Sequence, residues 1–233
     1  MQEDRFKNWT WDKFFEPEDP YLRAWLASKA YPWELLPDIG DFIAGYLTQL
    51  DLEDFVSPAE DVYIHKSVKV PPTATIIGPC LILEKAQIRP GCYIRGKLWA
   101  GPGAVLGNSC EFKNCVLMQG AEVPHFSYVG DSILGKKAHL GGGAVTSNYR
   151  QDHQSVKIRF SADPDTKAYE TGLRKMGAII GDYAEIGSQT VLNPGSLVGR
   201  KSRVYPLVSL RHAVGPNTIY KGPGRMADLE ERE

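Results

Sequence analysis

The 233-residue chain has no Cys-x-x-Cys pair among its 4 cysteines, so the usual ligand spacing of a structural zinc site is missing. It has no excess of charge: 27 basic and 28 acidic side chains give a formal net charge of −1. That argues against nucleic acid or an anionic membrane as a partner, since both reward a strong basic surplus. It has no apolar run approaching the roughly 20 residues of a membrane-spanning helix. The amino terminus, MQEDRFKNWTWDKFF, is acidic and aromatic and lacks the apolar core of a signal peptide. These absences, with unpaired cysteines, predict a reducing cytoplasmic setting.

What is present is a period of six. From 64 to 118 each sixth residue is of the inward type: Ile64, Val70, Ile76, Ile82, Ile88, Ile94, Ala100, Leu106, Phe112 and Met118. Two residues before each stands a more compact one, including Cys80, Cys92 and Cys110. A helix repeats at 3.6 and a plain strand at 2. A strict six over this length fits a parallel β-helix, in which three hexads close one triangular turn. Residues 18 apart then stack at about 4.8 Å per turn. Cysteines at the compact inward position serve as apolar filler and not as disulfides; Cys115 falls off the phase and is expected at the surface.

The predicted fold is mainly β, a left-handed parallel β-helix over 57–215 with an α-helical amino-terminal cap over 1–56 and a carboxy-terminal tail over 216–233. Residues 1–56 lack the period and hold four of the 5 tryptophans. Asp19-Pro20 reads as a helix start, and Leu35, Ile39, Phe42, Ile43, Tyr46, Leu47 and Leu50 follow helical spacing, entered through Pro37-Asp38. The cap would cover the open end of the solenoid, which otherwise exposes core and unpaired edges. The period slips after Met118, returns at Leu134 and Leu140, breaks over a polar protruding loop, 148–175, and resumes from Ile180 to Leu210. Breaks in a regular solenoid are where function concentrates.

Between the two breaks lies HFSYVGDSILGKKAHLGGGAVTSNYRQD. His125 is a candidate proton acceptor near neutral pH. Gly141, Gly142 and Gly143 permit close backbone approach, and Asn148 and Tyr149 end a coil where they can bond a polar ligand. Arg95 and Lys113 are 18 apart and should stack on one edge; two stacked cations repel unless an anion sits against them, and a phosphate fits an arginine fork. Asp131, 18 beyond Lys113, is a competing partner for the lysine.

The run Asn-Cys-x-x-x-x-Met, then Pro-His-Phe-Ser-Tyr-Val-Gly-Asp-Ser, the Gly-rich coil, Ser-Asn-Tyr-Arg and Thr-Gly-Leu-Arg-Lys-Met-Gly-Ala-Ile-Ile-Gly-Asp resembles one family. It is similar to the left-handed β-helix acetyltransferase half of the bifunctional N-acetylglucosamine-1-phosphate uridyltransferase/glucosamine-1-phosphate acetyltransferases, especially the archaeal-type sugar-1-phosphate nucleotidylyltransferase/acetyltransferases, over roughly 60–215. The resemblance implies an acetyl-CoA-dependent N-acetyltransferase acting on an amino-sugar 1-phosphate, working as a homotrimer without a metal. It makes His125 the general base. Tyr128, Asn148 and Tyr149 would bind the sugar phosphate and position the amine, with Asn148 counted among the catalytic groups. Lys113 matches the family's phosphate-binding lysine, and of the two Ile-Arg pairs the spacing selects Arg95 over Arg89 as the matching arginine. Lys157 is a further match for the sugar phosphate. Gly142, Ser188 and Lys221 would face the coenzyme.

The chain departs from the pattern at His139, where the bacterial enzymes have an asparagine that touches the sugar, and no Gly-rich nucleotide-binding loop is found near the start. The expectation is therefore a chain without the nucleotidyltransferase half. Two other readings stand beside it: a non-catalytic β-helix module that binds sugar nucleotides or regulates a separate nucleotidyltransferase, and a zinc β-helix enzyme of the γ-carbonic anhydrase kind. The second is opposed by the spacing of His125, His139 and His153, each 14 apart, which neither stacks nor makes the tight pair a three-histidine site wants.

Overall fold

In a computed structural model, which describes residues 3–163 and 165–229 (without the side chains of 3–5), the hexads build a parallel β-solenoid of triangular section. The first wall runs through Val62–His65, Cys80–Ile82, Leu98–Ala100, the second half of Glu111–Leu117, the second half of Tyr128–Leu134, Ala178–Ile180 and Ser196–Val198. The second wall stacks Gln87–Ile88, Val105–Asn108, Glu122–His125, His139–Leu140, Glu185–Ile186, Arg203–Val204 and Thr218–Tyr220. The third stacks Thr75–Ile77, Tyr93–Arg95, the first halves of Glu111–Leu117 and Tyr128–Leu134, Val145–Thr146, Val191–Leu192 and Ser209–Leu210.

Each hexad alternates inward and outward, as period 2 requires. The interior is one apolar column that includes Ile64, Ile82, Ile94, Leu106, Phe112, Leu134, Ile180 and Leu210. Where the column carries hydroxyls, they bond to nearby backbone: Ser132 Oγ donates to Gly130 O (2.8 Å) and accepts from Ala178 N (3.0 Å). Burial pushes the thiols of Cys80, Cys92, Cys110 and Cys115 up, which leaves them unreactive.

The interior corrects the sequence reading at three points. Val70 is 44% exposed. The slip comes earlier than Met118: Cys80 pairs with Leu98, but Leu98 pairs with Cys115, one residue short of 18. Losing a residue at the corner flips the face that follows. Cys115 and Leu117 therefore turn inward, while Val116 and Met118 turn out.

Residues 6–50 form short helical turns, among them the helices Pro20–Ala27 and Ile39–Leu47. Asp19 caps the first, accepting from Leu22 N at 2.6 Å, and Pro32–Asp38 leads directly into the second. This helical cover lies along the first wall, not over the end of the prism. Phe14, Phe15, Leu22, Trp33, Phe42 and Ile43 share a buried cluster with the outward residues Leu81, Trp99, Val116, Ile133, Ile179 and Leu197 of that wall. The reason is chemical: those outward side chains are apolar and need burial (about 25 cal/mol per Å²). The solenoid edges are covered otherwise. Phe55–Ala59 pairs antiparallel with the first rung, and Met226–Asp228 with Thr218–Tyr220, so the expected tail continues the solenoid and closes it with a hairpin. The excursion at 148–175 also folds back. It carries the pair Lys157–Ile158 and Tyr169–Glu170, and Phe160 and Tyr169 pack on Phe6, Trp9 and Trp33 with ring centroids 4.9–5.5 Å apart. Among the described residues no helix is long and apolar enough to cross a membrane.

Candidate active site

The outer face of the third wall and its two bounding corners carry most of the sequence candidates. The corner between the second and third walls turns through a left-handed residue on each rung: Gly91, Ser109, Phe126, Gly143, Gln189 and Leu207 all have positive φ. Because the conformation recurs on rung after rung, it belongs to the corner and not to any one site. His125 precedes Phe126 on this edge and is exposed. The strand register places Gly142 above His125 and Ser188 above Gly142, so three of the candidates form one column at about 4.8 Å per rung.

Gly141 is demanded by packing against backbone and Gly143 by its left-handed φ. A Cβ on Gly141 would stand 2.6 Å from Ser188 N, and one on Gly143 (φ +73) 2.2 Å from Gln189 Nε2. Gly142 is looser: its Cβ would lie 3.6 Å from His125 Cβ. The Gly141 N–H donates to Ile186 O and the Gly143 N–H to His125 O. The Gly142 N–H donates to no protein atom among the described residues. A free backbone donor therefore stands one rung from the imidazole. Lys221 lies off the column, at the far end of the second wall, with Nζ 5.8 Å from the Tyr205 ring centroid.

The opposite corner, between the third and first walls, is cationic. Arg95 and Lys113 are neighbours on successive rungs and line one cleft of about 410 Å³ with Lys97, Asn114, Asp131 and the Leu36-Pro37 segment of the helical cover. Sequence reasoning missed Glu111, whose Oε1 accepts from Arg95 Nη1 at 2.6 Å; it stands two residues before Lys113 on the same strand, aligned with Tyr93 of the neighbouring rung. Lys113 has no carboxylate partner among the described residues. Asp131 does not pair with it, because this rung is short and Gly130, not Asp131, aligns with Lys113. Asp131, buried, instead accepts from Asn114 and Asn148.

Tyr128 joins the edges. Asn148 Nδ2 donates to its hydroxyl at 3.0 Å and also to Asp131. Burial, and secondarily the Asp131 charge, pushes the Tyr128 phenol up, so it remains a neutral donor. His125, Tyr128, Asn148, Arg95 and Lys113 thus share one face. Tyr149 and Lys157 do not. Both line a separate cavity at the excursion: Tyr149 is held at its hydroxyl by His153 (3.0 Å) and Arg174 (3.1 Å), and Lys157 pairs with Glu170 at 2.6 Å. His139 sits on the second wall, 3.2 Å from Glu122. His125, His139 and His153 therefore occupy a corner, a wall and the excursion.

A family model described as the GMPPB C-terminal domain matches residues 76–159. A bifunctional sugar-1-phosphate nucleotidylyltransferase/acetyltransferase of Sulfurisphaera tokodaii is 32% identical over 164 residues, 63% of this chain and 40% of that protein. The bifunctional protein GlmU of Methanococcus vannielii is 34% identical over 173 residues, 73% of this chain and 41% of that protein. Among solved structures, the acetyltransferase domain of PglB from Neisseria gonorrhoeae in complex with acetyl coenzyme A matches at 16% identity and a TM-score of 0.40, over 72% of this chain and 58% of that one. The solenoid is a mostly β, hexad-repeat parallel β-helix. The chain is homologous to the C-terminal, acetyltransferase part of the bifunctional sugar-1-phosphate nucleotidylyltransferase/acetyltransferases. It spans about two fifths of the length of the curated relatives it matches.

Proposed function

We propose that the chain transfers the acetyl group of acetyl-CoA to the amine of an amino-sugar 1-phosphate, feeding nucleotide-sugar synthesis. The observation that carries this is the arrangement on the third wall: an exposed imidazole beside a free backbone N–H on one edge, and an unpaired lysine beside an arginine on the other. An amine attacks only when unprotonated, and His125 is the group on this face suited to take its proton. The Gly142 N–H is placed to receive the negative charge that develops on a carbonyl oxygen at the same column. Lys113 and Arg95 would hold the phosphate, and the Tyr128 hydroxyl, oriented by Asn148, would bond the sugar; fixing the acceptor at two points supplies orientation. Acetyl-CoA would bring the thioester, with Gly142 and Ser188 against it and Lys221 toward its phosphates. A homotrimer belongs to this reading, with the neighbouring subunit closing the open face.

The test offers glucosamine-1-phosphate and galactosamine-1-phosphate with acetyl-CoA and follows thiol release. Turnover by the wild type and its loss in His125→Ala is the expected result. No release with either sugar, together with binding of a sugar nucleotide, would replace the enzyme by a binding module. Light scattering of the purified protein checks the trimer.

A further inference from the structure

The second cavity, about 390 Å³, lies where the excursion meets the cationic corner and is lined by Arg150, Lys157, Arg159 and Arg211 together with Tyr149 and Asn193. Its charges are unevenly neutralised. Arg150 is held by Asp152 and Lys157 by Glu170. Arg159 and Arg211 have no carboxylate partner among the described residues, and both are exposed. The two come together by tertiary pairing: the Ala213 N–H donates to Arg159 O at 2.7 Å, which ties the excursion to the rung that carries Arg211. Asn193, one rung below Arg211, is fixed by bonds to Ser209 Oγ and Leu210 O. Two guanidinium forks that have no carboxylate partner among the described residues face one cavity whose single carboxylate among the described lining residues, Asp152, is taken up by Arg150. Such a pair of forks is a seat for an oxyanion that accepts bidentate bonds.

This seat is not the one proposed above for the sugar phosphate. Lys113, Gly130, Ser147, Asn193 and Arg211 follow one another up the same corner. Four rungs at about 4.8 Å put Arg211 about 19 Å from Lys113, beyond the reach of one phosphate group. The cavity would hold on the order of ten waters at about 30 Å³ each, so a lone phosphate leaves most of it to solvent. We propose that it binds a diphosphate group, either as a free oligophosphate or as the diphosphate of a nucleotide, through Arg159 and Arg211.

Calorimetric titration of the full chain with inorganic diphosphate, inorganic phosphate and uridine diphosphate tests this. Diphosphate is expected to bind tighter than phosphate and to weaken as salt rises. The double variant R159Q/R211Q is expected to lose about tenfold or more in affinity, while K113Q, in the other cleft, keeps wild-type affinity for diphosphate. Uridine diphosphate binding about tenfold tighter than diphosphate identifies a nucleotide as the occupant; equal affinity identifies a free oligophosphate. Undetectable diphosphate binding by the wild type, or unchanged affinity in R159Q/R211Q, overturns the proposal. Circular dichroism melting of each variant, and the charge-keeping R159K/R211K, expected to bind diphosphate more weakly than wild type but more tightly than R159Q/R211Q because lysine supplies the charge and not the fork, separate lost binding from lost folding.

Discussion

The first and third walls of the solenoid share an interior code and differ outside. Inward, both present a compact residue and then an apolar one, as in Cys80 and Ile82 or Cys92 and Ile94. Outward, the first wall shows Leu81, Trp99, Val116, Ile133, Ile179 and Leu197, all buried under the aromatic helical cover. The third shows Tyr93, Glu111, Tyr128, Val145, Val191 and Ser209, of which none is buried. One backbone therefore serves two ends. A wall whose outer face is apolar recruits other parts of the chain and becomes core, and a wall with polar and half-apolar outer residues stays open to solvent. The corners sharpen the contrast, because a corner residue projects without needing a strand partner: one edge of the third wall holds an imidazole and a free N–H, the other holds cations.

The comparison is broken most strongly by moving single side chains on each wall. His125→Ala, on the open wall, should lower turnover by about 10² to 10⁴-fold, the range for a positioned general base, while thermal stability stays within about 0.5 kcal/mol because the side chain is exposed. Trp99→Ala, on the covered wall, should do the reverse: an unfolding loss of about 3–5 kcal/mol in urea, with the activity of the folded fraction retained. Equal damage to stability and catalysis in either variant would mean that the walls are not separate in role. Lys113→Gln should raise KM for the sugar phosphate about tenfold or more and leave kcat nearly unchanged, as expected for a group that binds substrate and transition state alike.

The smallest effect is in the tether of the cover. Glu16 pairs with Arg200 and Glu18 with Lys136, and these bonds hold both carboxyls below their ordinary value of 4.5. Lowered folded-state values mean the attraction is present above the unfolded value and fades as pH falls through the folded ones. Asp182 also anchors this segment, accepting from Glu16 N and Lys136 N at 2.7 Å each. Burial holds its carboxyl above the ordinary value, so it works in the opposite sense. The variant E16Q/E18Q should melt slightly below wild type near neutral pH, with the gap closing at pH values under about 4.5.

The period of six made the solenoid, the inward Cys80, Cys92 and Cys110, and the stacking of Arg95 on Lys113 legible in the amino-acid sequence. The column His125–Gly142–Ser188 was legible only in part. Its members were identifiable by type and resemblance, but the alignment of His125 with Gly142 depends on a 17-residue rung from Glu122 to His139, and that of Gly142 with Ser188 on the length of the excursion, neither of which shows as a strong local signal. An earlier 17-residue rung, Leu98 to Cys115, explains why Asp131 escaped: a phase of 18 assigned it to Lys113, while the folded register gives it to Asn114 and Asn148. Glu111 could have been found, since it lies opposite Tyr93 one rung away and is two positions from Lys113.

The interior of the prism followed from the chain alone, because period and side-chain size are local quantities that repeat with the backbone. The placement of the helical cover on a wall, the hairpin that closes the last rung, and the meeting of Arg159 with Arg211 were settled by the folded structure. Each depends on which outer surfaces find complementary partners far away in sequence, and burial of apolar area and pairing of distant backbone groups choose among those partners only once the solenoid exists.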